Sequence, residues 1–374
     1  MAVHSLKFIL KSEFGAIAAI ITLFFTAVTY RTANAESIAA SLADYRKETS
    51  IVSVSGVTGT SFSGVALNRD AGQLFVVDNG NANIYVLSLN GTVERTITTQ
   101  DLNDPEGICH LCDNTYFIAS EGTGRVLRVE ILSTGTGPLS VSASPSHLLG
   151  SNWGNTGIEG VSYCTANNML YVVKETGPSE LFRITLDKEQ RFIESFDNDP
   201  FDISDRNGDA ADIAALNDGN FIIVNQEENR LEGFGPTGDP LSTFDCDMSK
   251  PEGIAIDTSN GTIYMVGEPR EFCVLKPTAV HTGTTPAARP DFSVSISPTT
   301  ATGQPFEISF TLPASCRITI DCFSPAGEQL RIHCSVMTAG RHLLKPGIKN
   351  RSAGIYLFRI TAGEFQRTVI HPLF

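Results

Sequence analysis

Short apolar runs that end at a polar or acidic residue recur through the middle of this chain. Five of them mix aromatic and aliphatic residues, at residues 74–79, 116–121, 170–175, 221–226 and 263–268. Runs of this length, rich in Val, Ile, Phe and Tyr, are typical of strands rather than helices. Further short apolar runs flank most of them, so each unit predicts a small antiparallel meander.

A second motif opens each unit, with a small or acidic residue, then glycine, then apolar residues. It reads Ser63-Gly64-Val65, Glu106-Gly107-Ile108, Glu159-Gly160-Val161 and Glu252-Gly253-Ile254, and the fourth unit departs from it with Ala211-Asp212-Ile213. Units that recur every ~40–55 residues have the size of propeller blades. The sequence therefore predicts an all-β chain with a β-propeller over residues 50–277. Five blades fit the span, and a degenerate sixth blade in residues 36–60 is the alternative.

The last quarter of the chain has a different pattern. Residues 278–291 are rich in Thr, Ala and Pro and lack apolar periodicity, which predicts a linker. Strand-like runs return at residues 292–296, 306–312, 317–323, 331–334 and 354–361. A stretch of this size with short strands predicts a compact Ig-like β-sandwich over residues 292–374.

Each unit places a pair of residues, at least one with an oxygen-bearing side chain, at the ends of adjacent predicted strands, 15 or 16 residues apart. The acidic pairs are Glu106 with Glu121, Glu159 with Glu175, and Glu252 with Glu268; the matching pairs elsewhere are Ser63 with Asn79 and Ala211 with Gln226. If the units surround an axis, these side chains line one mouth of its channel. Oxygen-only ligands favour calcium. Two other roles stay open: hydrogen bonds that join blade to blade, and a catalytic carboxylate base.

A second acidic feature precedes the fourth unit. Asp205, Asn207 and Asp209 supply oxygens at alternating positions, and Asp212 follows three residues later; the alternation resembles the start of a calcium loop. Leu216 stands where an EF-hand loop would end in Glu. The run is therefore either a second calcium site or a solvated turn.

The N-terminus and the net charge bear on location and partners. Lys7 and Lys11 precede an apolar run at residues 14–30, and Ala33-Asn34-Ala35 offers a cleavage site. This order predicts a signal peptide at residues 1–35, with retention as an inner-membrane anchor as the alternative. We therefore expect an exported protein in the periplasm, at the cell surface or secreted. The net charge of −14 disfavours nucleic acid and favours cationic ligands.

Eight cysteines in an exported chain permit disulfides without requiring a disulfide scaffold. Cys109 and Cys112 form a C-x-x-C that is open to a local disulfide, two buried thiols, or metal or redox chemistry. The tail contains Cys316, Cys322 and Cys334, so an odd thiol there is free or pairs across domains.

The motifs at residues 64–66, 74–80, 104–108, 157–161 and 250–257, taken in series, resemble the SdiA-regulated, YjiK-like family. The resemblance implies a β-propeller, an envelope location and a link to calcium. In the tail, residues 310–313, 324–328, 339–342 and 353–359 are similar to C-terminal secretion-sorting and FlgD-type Ig-like domains. That similarity implies routing by type IX secretion or attachment to the cell surface, and an ordinary accessory sandwich is the alternative. Residues 369–374 depart from the basic-ended final strand of sorting domains.

Two function classes follow. The first is an envelope binding module, supported by calcium, that binds a small ligand or an envelope protein. The alternative is a metal-dependent hydrolase of the phytase or lactonase kind, in which calcium polarises a phosphoryl or carbonyl oxygen. A basic side chain that reaches the acidic mouth could hold a phosphate and would favour the hydrolase. Lys174, next to Glu175, and Arg270, two residues after Glu268, are the candidates.

Overall fold

The computed structural model describes most of the chain from residue 37 onward. The described ranges are 37–132, 138–150, 153–154, 156–187, 191–192, 201–204, 208–278, 294–297, 306–312, 316–325, 329–338, 340–346, 354–362 and 365–373. The predicted signal peptide or anchor, and the predicted linker beyond residue 278, lie outside these ranges. Within them, no helix is long and apolar enough to cross a membrane.

Strands dominate the described part of residues 37–278, where the helices are the 3-10 turns Ile38–Ala40, Leu42–Asp44 and Glu121–Thr123. The strands are β1 (Tyr45–Lys47), β2 (Val52–Ser53), β3 (Phe62–Asn68), β4 (Gln73–Asp78), β5 (Asn83–Ser88), β6 (Val93–Ile97), β7 (Thr99–Gln100), β8 (Pro105–Cys112), β9 (Thr115–Ser120), β10 (Arg125–Glu130), β11 (Leu139–Ser140), β12 (Ser146–Leu148), β13 (Ile158–Cys164), β14 (Met169–Lys174), β15 (Glu180–Thr185), β16 (Phe201–Asp202), β17 (Ala210–Ala215), β18 (Phe221–Asn225), β19 (Arg230–Phe234), β20 (Pro240–Asp245), β21 (Lys250–Asp257), β22 (Thr262–Glu268) and β23 (Glu271–Pro277). The five predicted aromatic-aliphatic strands are confirmed as β4, β9, β14, β18 and β22.

These strands form five successive antiparallel sheets. In strand order they are β3-β4-β5-β6, β8-β9-β10-β12, β13-β14-β15-β16, β17-β18-β19-β20 and β21-β22-β23-β1, and β2 also pairs with β23. Strands β7 and β11 pair with each other in a separate two-stranded parallel sheet. Residues 45–53 thus complete the last sheet instead of building a sheet of their own, and this pairing joins the start of the region 37–278 to its end.

The first strand of each sheet contacts the first strand of the next, and β21 contacts β3, so the five inner strands close into a ring. Separate apolar clusters fill the spaces between neighbouring sheets all the way round. The arrangement is all-β and propeller-like, as the repeats predict.

Glycine lets the inner strands approach one another. A Cβ on Gly64 would lie 2.6 Å from the backbone oxygen of Glu106, and one on Gly107 would lie 2.4 Å from that of Glu159. Such contacts are closer than real Cβ atoms tolerate. This explains the recurring glycine as a packing requirement.

The fourth unit replaces glycine by Asp212, and the structure shows why an aspartate fits there. Its buried carboxylate accepts hydrogen bonds from the backbone N–H groups of Ile213 and Ile254, both at 2.8 Å. Burial raises the pKa of Asp212 well above its usual value, while these N–H groups act to lower it. The side chain therefore joins the fourth inner strand to the fifth, where the other units rely on glycine contact.

The tail forms two antiparallel sheets around one apolar core. Its strands are β24 (Val294–Ile296), β25 (Ile308–Leu312), β26 (Cys316–Phe323), β27 (Gln329–Met337), β28 (Gly340–Leu344), β29 (Gly354–Ala362) and β30 (Phe365–Leu373). The sheet orders are β24-β25-β28 and β27-β26-β29-β30. The strand pattern in the sequence predicts five of these strands and misses β28 and β30.

The ring packing predicts a large cost for a single methyl group. We expect Gly107→Ala to lower the free energy of unfolding by on the order of 3 kcal/mol, because its Cβ meets backbone that cannot move aside. Gly235→Ala is the matched control, since the nearest atom to its Cβ is 3.7 Å away. Thermal or urea unfolding measures both, and equal stability of the two variants would contradict the packing account.

Candidate functional site

A cavity of about 200 Å³ opens where the inner strands begin and the second strands end. We call it the acidic mouth. Its lining residues are Asn79, Asp104, Glu106, Glu121, Glu159, Glu175, Asp209, Ala211, Gln226, Lys250, Glu252 and Glu268. All six glutamates of the predicted pairs therefore meet in one place, as the repeat spacing requires.

A local irregularity turns the inner-strand residues towards the cavity. The register between first and second strands shifts at the Glu-Gly position of every sheet, between Pro105 and Gly107 in β8 and between Pro251 and Gly253 in β21, for example. The glutamate at such a β-bulge is left out of the ladder. Its side chain is thereby free to point into the mouth.

Amide side chains satisfy two of these glutamates. Asn79 donates a hydrogen bond of 2.8 Å to Glu106 Oε1, and Gln226 donates one of 2.8 Å to Glu252 Oε1. In both cases the amide follows the second strand of one sheet, and the carboxylate belongs to the first strand of the next. These pairs support the interpretation that some glutamates join neighbouring sheets.

Carboxylates of the second and third sheets lie close to one another. Carboxylate oxygens of Glu121, Glu159 and Glu175 lie within 4.8 Å of one another. Glu121 accepts a hydrogen bond of 2.7 Å from the backbone N–H of Gly157. The carboxylate of Glu159 receives no hydrogen bond from the described part of the chain. A second such group joins Asp104, Glu106 and Glu121.

Burial and mutual repulsion raise the pKa values of the mouth. Burial is the larger cause, and it raises the pKa of Glu106 to about 8 and the pKa values of Glu175 and Glu252 to about 7. Burial also raises the pKa of Glu159 well above its usual value, and the carboxylates of Glu106, Glu121, Glu175 and Glu252 add to the effect. At neutral pH the mouth therefore retains protons that a cation could displace.

Lys250 is the basic residue that lines the mouth. Its Nζ lies 2.8 Å from Glu252 Oε1 and 2.8 Å from Glu268 Oε1. Burial would lower its pKa, but these two carboxylates outweigh burial and raise it. Lys250 thus forms ion pairs with the fifth sheet's pair. Within the described part of the chain no basic side chain forms an ion pair with Glu121, Glu159 or Glu175, although Lys250 and Lys174 lie close enough to act against the rise in the pKa of Glu175.

The two basic residues that the sequence suggests are placed elsewhere. The Lys174 ammonium donates to the backbone oxygens of Thr176 and Pro178 and lies over the Trp153 ring. Arg270 donates to Ser53 Oγ at 3.2 Å. Neither lines the mouth. Sequence reasoning also missed Lys250 and Asp104 as site residues, although each stands two residues before a glutamate of the motif, across a proline.

The second acidic feature is divided. Asp205 and Asn207 lie outside the described residues. Asp209 lines the acidic mouth, where burial raises its pKa, whereas Asp212 bonds to backbone inside the ring. Asp209 and Asp212 therefore contribute to different parts of the structure, and Asp212 serves packing.

The raised pKa values predict how stability depends on pH. Each such carboxyl binds a proton in the folded state that it releases on unfolding, so its stabilisation is lost as pH rises through the folded pKa. In chelator, we expect the free energy of unfolding to fall by on the order of 1 kcal/mol between pH 6.5 and 8. Glu106→Gln should reduce this fall in thermal unfolding, and stability that rises with pH in this window would contradict the prediction.

The family model for SdiA-regulated proteins matches residues 37–276. Similar solved structures include a gluconolactonase from Xanthomonas campestris, 13% identical over 64% of this chain and 92% of that chain with a TM-score of 0.44. The nidogen/laminin complex matches at 16% identity over 56% and 73%, with a TM-score of 0.39. These structural likenesses are too distant to bear on function, but the family match spans well over half of the sequence. This chain belongs to the SdiA-regulated family.

Proposed function

We propose that the five sheets are the blades of a five-bladed β-propeller in an exported binding module of the bacterial envelope. Calcium held at the acidic mouth supports this module and helps it bind a small ligand or a protein partner. The observation that carries the proposal is the convergence of Glu121, Glu159 and Glu175, none of which forms an ion pair with a basic side chain in the described part of the chain. Nucleic acid is not a suitable partner for a mouth of this charge.

The spacing of the oxygens suits calcium. Calcium–oxygen bonds are about 2.4 Å, so ligand atoms around one ion lie at most about 4.8 Å apart. The three carboxylates of Glu121, Glu159 and Glu175 meet this limit, and all their donor atoms are oxygen, which favours calcium over zinc. Three carboxylates leave part of a six- to eight-fold coordination shell to water or to a bound ligand.

The remaining acids have other roles in this proposal. Glu106 and Glu252 join sheets through Asn79 and Gln226, and Glu268 holds Lys250. Asp104 and Asp209 supply further negative charge at the edge of the cavity. Calcium binding therefore depends on Glu121, Glu159 and Glu175 in the middle of the mouth. The acids on either side of them hold the walls of the cavity in place.

A hydrolase remains the second candidate, and Lys250 is the observation that favours it. A metal-bound substrate in the mouth would meet both an ammonium that can hold a phosphate or a developing oxyanion and a carboxyl, Glu252, whose pKa of about 7 suits a general base. A screen of lactones and phosphoesters with calcium decides between the two. If the protein turns over one of these substrates and Lys250→Met abolishes that activity, the result would favour a phytase-like or lactonase-like enzyme over the binding module.

The envelope location rests on residues 1–35 and is tested by the form of the protein in cells. We expect the chain in the periplasm, at the cell surface or in the medium, with Glu36 as its first residue after cleavage. Intact residues 1–35 in the inner-membrane fraction would indicate the anchored alternative. A soluble cytoplasmic protein that retains Met1 would contradict export, and with it the routing role proposed for the Ig-like tail.

Two single substitutions separate calcium ligation from sheet joining. In chelator, we expect Glu159→Gln to hold or raise the thermal midpoint, since it relieves repulsion and breaks no hydrogen bond from the described residues. Glu252→Gln should cost about 1 kcal/mol, because it weakens charge-assisted bonds with Lys250 and Gln226.

Calcium should then raise the midpoint of wild type and Glu252→Gln, whereas Glu159→Gln should lose most of that increment. Glu130→Gln, an exposed change on β10, is the matched control and should behave as wild type. An intact calcium increment in Glu159→Gln, or no response of wild type to millimolar calcium, would remove calcium from the proposal.

A further inference from the structure

The opposite ends of the inner strands open into a second cavity of about 730 Å³. We call it the covered mouth, because the tail contributes to its wall. Residues from the far ends of all five inner strands line it together with Cys316, Thr319, Thr361 and Ala362 of the tail. The four-stranded tail sheet therefore lies over the end of the ring that the acidic mouth does not occupy.

Strand register identifies which face of this sheet meets the ring. Thr319 of β26 pairs with Cys334 of β27 and with Thr361 of β29, so the three share a face. Ile318 and Ile320, which alternate with Thr319, belong to the tail's own core. Val336, two residues beyond Cys334, packs against the cluster between the second and third sheets. The Cys334 side chain is therefore directed towards the ring.

The Cys334 side chain lies next to Cys112 of the ring. Cys112 ends β8 and packs against the same cluster as Val336. Its sulfur, the sulfur of Cys334 and a carboxylate oxygen of Asp113 all lie within 4.8 Å of one another. Both cysteines are half-buried, so a small oxidant can reach them. We propose that Cys112 and Cys334 form a disulfide that fastens the tail over the covered mouth when the protein meets an oxidising compartment.

The step is an ordinary thiol–disulfide exchange, and its co-reactant is a small or protein disulfide. The thiolate of one cysteine attacks that disulfide and expels one thiolate, which forms a mixed disulfide. The second cysteine attacks the protein sulfur of the mixed disulfide and expels the other thiolate. Two electrons and two protons leave the pair of cysteines, the disulfide oxidant is reduced to two thiols, and one sulfur–sulfur bond forms.

Pairings through Cys109, Cys246 or Cys273 are less favourable. Cys109, the first cysteine of the C-x-x-C, is buried among the apolar side chains between the second and third sheets. Cys246 and Cys273 are also buried, and burial raises the pKa of Cys273 to about 12, which suppresses its thiolate. A bond between Cys112 and Cys334 also accounts for the odd number of cysteines in the tail.

The test uses the full chain, purified in reduced form with chelator and then equilibrated with a mixture of oxidised and reduced glutathione. Free thiols are then alkylated in denaturant and counted by mass. Of the eight cysteines, we expect two to escape alkylation, and digestion without reductant should yield a peptide pair joined through Cys112 and Cys334. Cys112→Ser and Cys334→Ser should each leave no protected pair.

Cys109→Ser is the matched control and should retain the joined peptides. Reduction should also lower the thermal midpoint of wild type by several degrees and leave Cys334→Ser unchanged. Full alkylation of wild type, glutathione adducts without the joined peptides, or a bond between Cys109 and Cys112 would overturn the proposal. So would thiols that are protected only when zinc is added and that chelator releases, since this result would assign Cys112, Asp113 and Cys334 to a metal.

Discussion

The inner strands of the five sheets approach so closely that the point of contact admits glycine or a side chain that bonds across the gap. Gly64 and Gly107 pass within van der Waals distance of the next strand's backbone, and Asp212 accepts two backbone N–H groups at the one position that lacks glycine. Each contact coincides with a bulge in the ladder, and the residue before the glycine is expelled from the sheet. The close packing that closes the ring therefore also turns these side chains into the mouth. The chemistry of the mouth follows from that packing.

Because this packing repeats around the ring, it brings the negatively charged glutamates of several sheets into one cavity. The structure relieves the repulsion in two ways on the flanks. Amides of Asn79 and Gln226 face the glutamates of the next sheet, and Lys250 bridges Glu252 and Glu268. Neither device reaches the middle, where Glu159 is surrounded by carboxylates. Bound protons relieve the repulsion there up to neutral pH, and a calcium ion would displace them while leaving coordination positions open to a ligand. On this account the proposed calcium binding and the repulsion among the carboxylates have the same origin, which is the repeated glutamate of the inner strands.

The sequence predicted what depends on the repeat and missed what depends on single contacts. The period of the Glu-Gly motif was enough to place six glutamates in one cavity, since any ring of such units puts equivalent residues on one side. Lys250 and Asp104 were missed because nothing in a linear pattern shows that a residue before a proline turns into the cavity. Asp212 was grouped with Asp209 by spacing alone, and only the paired backbone shows that it replaces a glycine contact. Strands β28 and β30 are hard to recognise because they form edges of the tail sheets and have mixed polarity.

The central claim is that the acidic mouth holds protons which calcium replaces. Calorimetric titration of the full chain with calcium at pH 7, in two buffers of different ionisation enthalpy, tests it most directly, because the difference between the two heats counts the protons released. The account predicts binding of calcium with net proton release, because the pKa of Glu159 is raised well above its usual value and that of Glu175 to about 7, so these two proposed ligands are at least partly protonated at this pH. Binding without proton release, or no binding up to millimolar calcium, would contradict it.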